Sequence, residues 1–143
     1  MKKTPITVQA VIQAPVEKVW RFYTRPEHIT KWNHASEDWH SPWAENDLRA
    51  GGRFRFRMEA KVGGAGFDFE GTYNEVKTNQ LVSYTLADLR KVKVTFSGDQ
   101  TATHLSVQFE AEQTNPIEMQ RDGWQAILDN FKKYVEVTTD DHL

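Results

Sequence analysis

From Arg53 to Lys61 the chain alternates without a fault, with Phe54, Phe56, Met58 and Ala60 on one parity and Arg53, Arg55, Arg57, Glu59 and Lys61 on the other. Successive side chains of a strand point to opposite faces, so this segment must lie with one face in a core and the other in water. Gly63-Gly64-Ala65-Gly66 supplies a flexible turn, and Phe67, Phe69, Gly71 and Tyr73 carry the apolar parity back along a second strand. A polar turn at Lys77 to Gln80 leads to Val82, Tyr84 and Leu86, and pairing Tyr73 with Tyr84 puts both apolar sets on one face. Val92, Val94 and Phe96 then answer Leu105, Val107 and Phe109 across the turn at Ser97-Gly98-Asp99-Gln100, with Phe96 opposite Leu105. A slip of one residue would turn a whole apolar set to solvent, so this agreement of parity predicts an antiparallel meander with one covered face.

The two ends of the chain supply the cover. Ile6, Val8, Ala10 and Ile12 alternate with Thr7, Gln9 and Gln13, which predicts a further strand. Pro15 opens a short amphipathic helix carrying Val16, Val19, Trp20 and Tyr23, and Arg25-Pro26 breaks it. Ile29 and Trp32 mark a second short helix before an irregular stretch that holds Trp39 and Trp43. After the sheet the period changes to that of a helix, with Ile117, Trp124, Ile127, Leu128, Phe131 and Val135 in one stripe. Asn115 reads as its N-cap and Pro116 as its first turn, whereas 138–143 is polar and expected to fray.

A sheet and a helix with one apolar side each bury both by packing together. The expected fold class is therefore α+β: a strongly curved antiparallel sheet of about six to seven strands gripping the long C-terminal helix, with two short helices after the first strand. A chain of 143 residues is expected to form one domain, since two cores would each be marginal.

Composition narrows the function. There is no cysteine, which excludes disulfides, thiolate metal sites and a cysteine nucleophile and fits a reducing cytoplasm. A formal charge of −2 argues against a nucleic-acid binder. No signal peptide follows Met1-Lys2-Lys3, and no apolar run spans a bilayer, so a soluble protein without membrane insertion is expected. The scattered histidines 28, 34, 40 and 104 show no metal-ligand spacing, and the glycine clusters lack the spacing of a phosphate loop, so neither metal nor cofactor is expected.

The order of elements, together with Trp32, Asp47-Leu48-Arg49-Ala50-Gly51-Gly52-Arg53-Phe54, Gly71-Thr72-Tyr73, Tyr84-Thr85, Thr103 and Gly123-Trp124 ahead of Phe131 and Tyr134, resembles the SRPBCC (START-like, birch-pollen-allergen-like) superfamily over nearly the whole chain. Within it the chain is similar to the bacterial branch related to the C-terminal domain of the activator of heat-shock protein 90 ATPase. The resemblance implies the helix-grip fold and a deep cavity between sheet and C-terminal helix, used by various relatives for hydrophobic molecules. The chain departs from the pattern at Asp88-Leu89-Arg90, where many relatives have a glycine-containing turn, and it lacks the extra N-terminal domain of the eukaryotic co-chaperone.

The aromatic residues Trp32, Trp39, Trp43, Phe54, Phe56, Phe69, Tyr73, Tyr84 and Trp124, with Met58 and Leu128, are the candidate ligand-binding set. From the residues alone a filled core is the default, because rings are usually buried for packing; the fold resemblance favours a cavity. Tyr73, Tyr84 and the indole N–H groups of Trp39, Trp43 and Trp124 are the candidates for orienting a polar ligand atom, against internal satisfaction by backbone carbonyls. No catalytic residue stands out: His40 reads as a surface histidine, and Asp47, Arg49 and Arg53 read as a structural turn. Gly123, inside the helix stripe, calls for a packing reason. Three functions follow: a binder of a small hydrophobic or aromatic molecule, a cyclase- or dehydratase-like enzyme using the same cavity, or a chaperone-type interaction module.

Overall fold

The computed structural model describes residues 4–139, in which the alternating segments form one antiparallel sheet. In chain order the elements are β1 (Pro5–Ile12), α1 (Val16–Thr24), α2 (Pro26–Trp32), β2 (Trp39–His40), β3 (Ala44–Asn46), β4 (Arg53–Ala60), β5 (Gly66–Lys77), β6 (Leu81–Leu86), β7 (Lys91–Gly98), β8 (Thr103–Glu110) and α3 (Ile117–Val137). Across the sheet they run β1-β8-β7-β6-β5-β4-β2, with β3 also paired to β4. Tyr73 lies opposite Tyr84, and Phe96 opposite Leu105, as the shared parity demands. The sheet has eight strands, against the six to seven expected. The surplus is β2 and β3, pairings of two and three residues that are too short to show a period.

The outermost long strand on each side of the sheet, β1 and β4, has its outer groups engaged. At one, the outer carbonyls of β1 receive side chains from α3: Gln125 Nε2 donates to Gln9 O at 3.2 Å and Lys132 Nζ to Val11 O at 2.6 Å. At the other, the Arg57 N–H donates to Trp43 O and the Lys61 N–H to Asp38 O. An uncovered edge would be a template for another chain. The register of β5 shifts between Tyr73 and Glu75, leaving Asn74 as the extra residue of a bulge. A bulge bends its strand and increases the local twist, which helps the sheet curl around α3.

The core gathers Ile6, Val8, Phe22, Val94, Leu105, Phe109, Phe131 and Val135 between sheet and helices. Helix α3 does not begin as expected. Pro116 occupies the N-cap, and its ring has no acceptor to cap with; Asn115 lies one position earlier, its Nδ2 donating to Glu112 Oε2 at 3.1 Å. The buried Gln120 closes this corner instead, donating to Glu112 O and Asn115 O and accepting from the Glu112 N–H. At the other end Lys18 Nζ donates to Thr138 O at 2.7 Å, a cation at the negative pole of the helix. Of the tail expected to fray, residues 140–143 lie outside the described residues.

Gly123 has no packing reason: a Cβ built there meets nothing within 4 Å. Its replacement by alanine is therefore expected to stabilise the protein by about 1 kcal/mol, the helix-propensity difference, measured as the midpoint of denaturant unfolding. A lower midpoint would show that the helix needs the freedom glycine gives it. Gly71 is the opposite case, since a Cβ would come within 2.5 Å of Thr85 O and 3.0 Å of the Phe54 ring. The missing side chain lets Phe54 lie across β5.

Candidate functional site

The curved sheet and α3 do not fill the space between them. A cavity of about 330 Å³ remains, near the lower end of the range for small-molecule sites. Phe54 is central to its wall: its ring centroid is 4.8 Å from Tyr84, 4.9 Å from Phe56 and 5.3 Å from Tyr73. Opposite, Trp124 of α3 is held by stacking on Phe109 at 3.9 Å and meets Phe69 edge-on. Trp32 closes a third side, stacked on Tyr23 at 5.1 Å and braced by Phe131 at 4.8 Å.

Of the candidate residues, Trp32, Phe54, Phe56, Met58, Phe69, Tyr73, Tyr84, Trp124 and Leu128 line this cavity. Trp39 and Trp43 do not: Trp39 lies at the sheet edge against Phe67, and Trp43 is 40% exposed. The sequence set omitted several lining residues. Val82, Val107 and Ile127 share the inward parity or stripe of their neighbours, and Tyr23 belongs to the α1 stripe, so pattern could have found them. Asn33, Arg90 and Glu112 come from loops and carry no periodic signal.

The polar groups of the wall fall into two kinds. Some are already satisfied: Tyr73 Oη donates to Asn46 Oδ1 at 2.7 Å, Asn46 Nδ2 donates to Thr24 O, and Trp32 Nε1 donates to Phe22 O. Glu112 accepts from the Thr114 and Asn115 N–H groups and from Asn115 Nδ2, which holds its carboxyl below the ordinary range. The Tyr23 and Tyr84 hydroxyls, by contrast, have no hydrogen-bond partner among the described residues.

Burial pushes the Tyr23, Tyr73 and Tyr84 hydroxyls well above the ordinary tyrosine value, and the neighbouring phenols push Tyr84 further. Tyr84 also feels the Arg90 guanidinium, which acts in the opposite direction. All three stay neutral donors at any physiological pH. The sign for stability follows from the unfolded chain, whose tyrosines ionise near pH 10. Stability is full below that pH and falls above it, because the folded state holds its phenolic protons longer. The chain has four tyrosines, three of them on this wall. Phenolate absorbance from no more than one is therefore expected before cooperative unfolding in alkali; gradual ionisation of two or more in the folded protein would contradict the buried setting.

The remaining candidates are elsewhere. His40 is at the surface, with Nε2 3.8 Å from Glu59. Arg49 Nε pairs with both Asp47 oxygens at 3.0 Å beside Gly51, whose φ of +82° the turn requires. The outer arginine row is matched across the strands, Arg55 to Glu70 at 3.6 Å and Arg57 to Asp68 at 3.1 Å. Among the described residues no group of three or more acidic or histidine side chains could hold a metal, and no helix is long and apolar enough to cross a membrane.

A curved antiparallel sheet closed by a long C-terminal helix over an interior cavity is the helix-grip architecture, and it places the protein with the SRPBCC superfamily. Residues 13–136 match the model of the Activator of Hsp90 ATPase homolog 1-like protein family, and the chain belongs to that family. It is similar to the solution structure of the AHSA1-like protein from Aeromonas hydrophila, with 39% identity, a TM-score of 0.86, and coverage of 97% of this chain and 100% of that one. A solution structure from Cytophaga hutchinsonii is 47% identical, with a TM-score of 0.79 over 96% of this chain and 98% of that one. A crystal structure from Chromobacterium violaceum is 26% identical, with a TM-score of 0.84 over 94% of this chain and 99% of that one. No curated protein matches the chain.

Proposed function

We propose that the protein binds a small hydrophobic or aromatic molecule in the cavity between sheet and α3, as a single ligand-binding domain of the cytoplasm. The observation that carries this reading is the void itself: aromatic side chains surround about 330 Å³ instead of closing on one another. The space is partly open, so its aromatic lining keeps apolar surface against water, which is unfavourable until a ligand covers it. The lining residues named above, led by Phe54, Phe56, Phe69, Trp124 and Leu128, are the proposed contacts.

An acid–base enzyme in the same cavity finds less support. Glu112 is the sole carboxylate among the lining residues, and both its oxygens are engaged by the turn at Asn115. The family's name raises the chaperone reading, which titration with a heat-shock protein 90 homologue tests through binding and ATPase rate.

The ligand reading is tested by native mass spectrometry of protein purified from its host, together with titration of the neutral dye N-phenylnaphthylamine. A co-purifying small molecule, or dye fluorescence that saturates at one equivalent, is the expected result. Protein that carries no adduct and leaves the dye dark refutes the proposal.

A further inference from the structure

We infer that the protein docks on the surface of a lipid bilayer with the open end of its cavity, through Val62 and Phe67 of the β4–β5 hairpin, Leu89 of the β6–β7 turn and Met119 of α3. This goes beyond the ligand-binding reading and supplies a source for the ligand: a hydrophobic molecule passes from membrane to cavity without crossing water.

The registers put these four side chains at one end of the sheet. Gly71 pairs with Leu86, so residues 66–70 of β5 run on past the end of β6, about 16 Å of strand. The turn after β6 lies against that overhang, with the Ala87 N–H donating to Glu70 O. Arg90 Nη1 reaches Glu110 O at 3.3 Å, tying the turn to the end of β8, and Gln120 ties the following loop to the start of α3. The cavity opens at this end. Thr24, Tyr73 and Val82, which line it away from the overhang, are buried, whereas Phe67 lines it and is still 51% exposed.

Exposed apolar side chains gather at the same end. Val62 is 88% exposed, Leu89 71% and Met119 60%, on three separate protrusions. Scattered singly, such residues need no explanation; grouped beside a cavity mouth, they mark a binding surface. Leu89 carries the point further, because its φ of +74° is a left-handed conformation that glycine adopts freely and leucine only at a cost. Glycine would serve the turn better, yet a leucine stands there with its side chain in solvent. Trp39 adds to the rim, 6.0 Å from the Phe67 ring, with an indole suited to the boundary between apolar and wet layers.

The shape and charge of the rim favour a bilayer over a folded partner. Residues 62–67, Val-Gly-Gly-Ala-Gly-Phe, carry no charge and little bulk, with Lys61 on one side and Asp68 on the other. Behind the tips the charges are matched, Arg57 with Glu59 and Asp68, and Arg90 with Asp88. The rim therefore presents apolar points backed by a balanced belt of charge, which complements a zwitterionic headgroup layer over hydrocarbon. Separate points with a hollow between them give a rigid partner little to fit against, while a fluid layer closes round each. No span is needed: no helix of the described residues is long and apolar enough to cross a membrane, and side-chain tips reach only the boundary layer.

Flotation of the full chain with vesicles of phosphatidylcholine, alone and mixed with phosphatidylglycerol, tests the docking. The chain is expected to float with both, equally at low and high salt, since salt screens charge contacts and not apolar ones. In the Val62→Asp/Leu89→Asp double variant the partition onto vesicles should fall at least about tenfold, the effect of losing one buried apolar side chain. Leu89→Gly should also weaken flotation while holding or raising the denaturation midpoint. Neither Val62 nor Leu89 lines the cavity, so N-phenylnaphthylamine should still saturate at one equivalent in each variant. Wild-type protein that does not float, variants that float as well as the wild type, or flotation confined to phosphatidylglycerol at low salt each overturn the inference. So does a dimer in vesicle-free sedimentation, or a complex with the heat-shock protein 90 homologue, that the double variant abolishes, because the rim then belongs to a protein contact. Protein that binds the dye and does not float removes the docking alone; protein that floats through the rim and leaves the dye dark keeps the docking and removes the ligand reading.

Discussion

Phe131→Ala is expected to cost about 3–5 kcal/mol of folding stability, enough to bring a domain stabilised by about 5–15 kcal/mol near its limit. Phe131 is fully buried on α3, and its ring is edge-on to both Trp32 and Tyr23, at 4.8 and 5.1 Å. Removing it takes away the transfer energy of the ring and leaves a hole beside an existing void, where collapse has little rigid support. The loss should also reach the site, because Trp32 and Tyr23 hold their places in the cavity wall against this ring. Chemical denaturation followed by tryptophan fluorescence measures the first effect, and dye affinity in the still-folded fraction measures the second. A change of under about 1 kcal/mol, as for a surface substitution, would mean that α3 does not pack on the short helices as described.

The same geometry explains why the registers were legible and the site only partly so. Tyr73 opposite Tyr84 and Phe96 opposite Leu105 follow from parity alone, since any other register exposes several large apolar side chains at once. Inward parity then places Phe54, Phe56 and Phe69 facing α3, the helical stripe places Leu128 facing the sheet, and the aromatic content of the sheet face is what a cavity wall needs. Parity does not say whether facing rings touch, so a filled core and a lined cavity read alike in the sequence. The difference comes from curvature. The bulge at Asn74 contributes to it, and its sequence trace is the jump of the inward set from Tyr73 to Val76.

Features set by single side-chain contacts had no pattern to betray them. Asn115 has the residue type of an N-cap, yet it lies one residue before the cap position, tied to Glu112 through its backbone N–H and Nδ2, and Pro116 stands at the helix start. Gly123 sits beside Trp124, and only the open space around it shows that no close neighbour explains it. Trp39 and Trp43 share the aromatic character of the wall but lie on the segments that cover the edge of β4. Arg90 enters the wall through a left-handed leucine, a conformation that residue type argues against.

Filling the void tests whether it is a site or a packing flaw, and Ile127→Trp is the substitution suited to it. Ile127 is half-buried on α3 and lines the cavity, so an indole there extends into empty space and not into the packed side of the helix. In a dense core the added volume would cost about 1–3 kcal/mol through strain. Into a cavity of about 330 Å³ it should cost less, since the new ring finds room and gains contacts. Ligand and indole then compete for one volume. Affinity for N-phenylnaphthylamine is expected to fall at least about 100-fold, equivalent to about 2.8 kcal/mol, with the unfolding midpoint nearly unchanged. Val137→Trp, on an exposed position of the same helix, should leave both quantities as they are. Retained dye affinity in the Ile127 variant would put the binding surface outside the cavity, and a large loss of stability would mean that the space is filled in solution by the protein's own side chains.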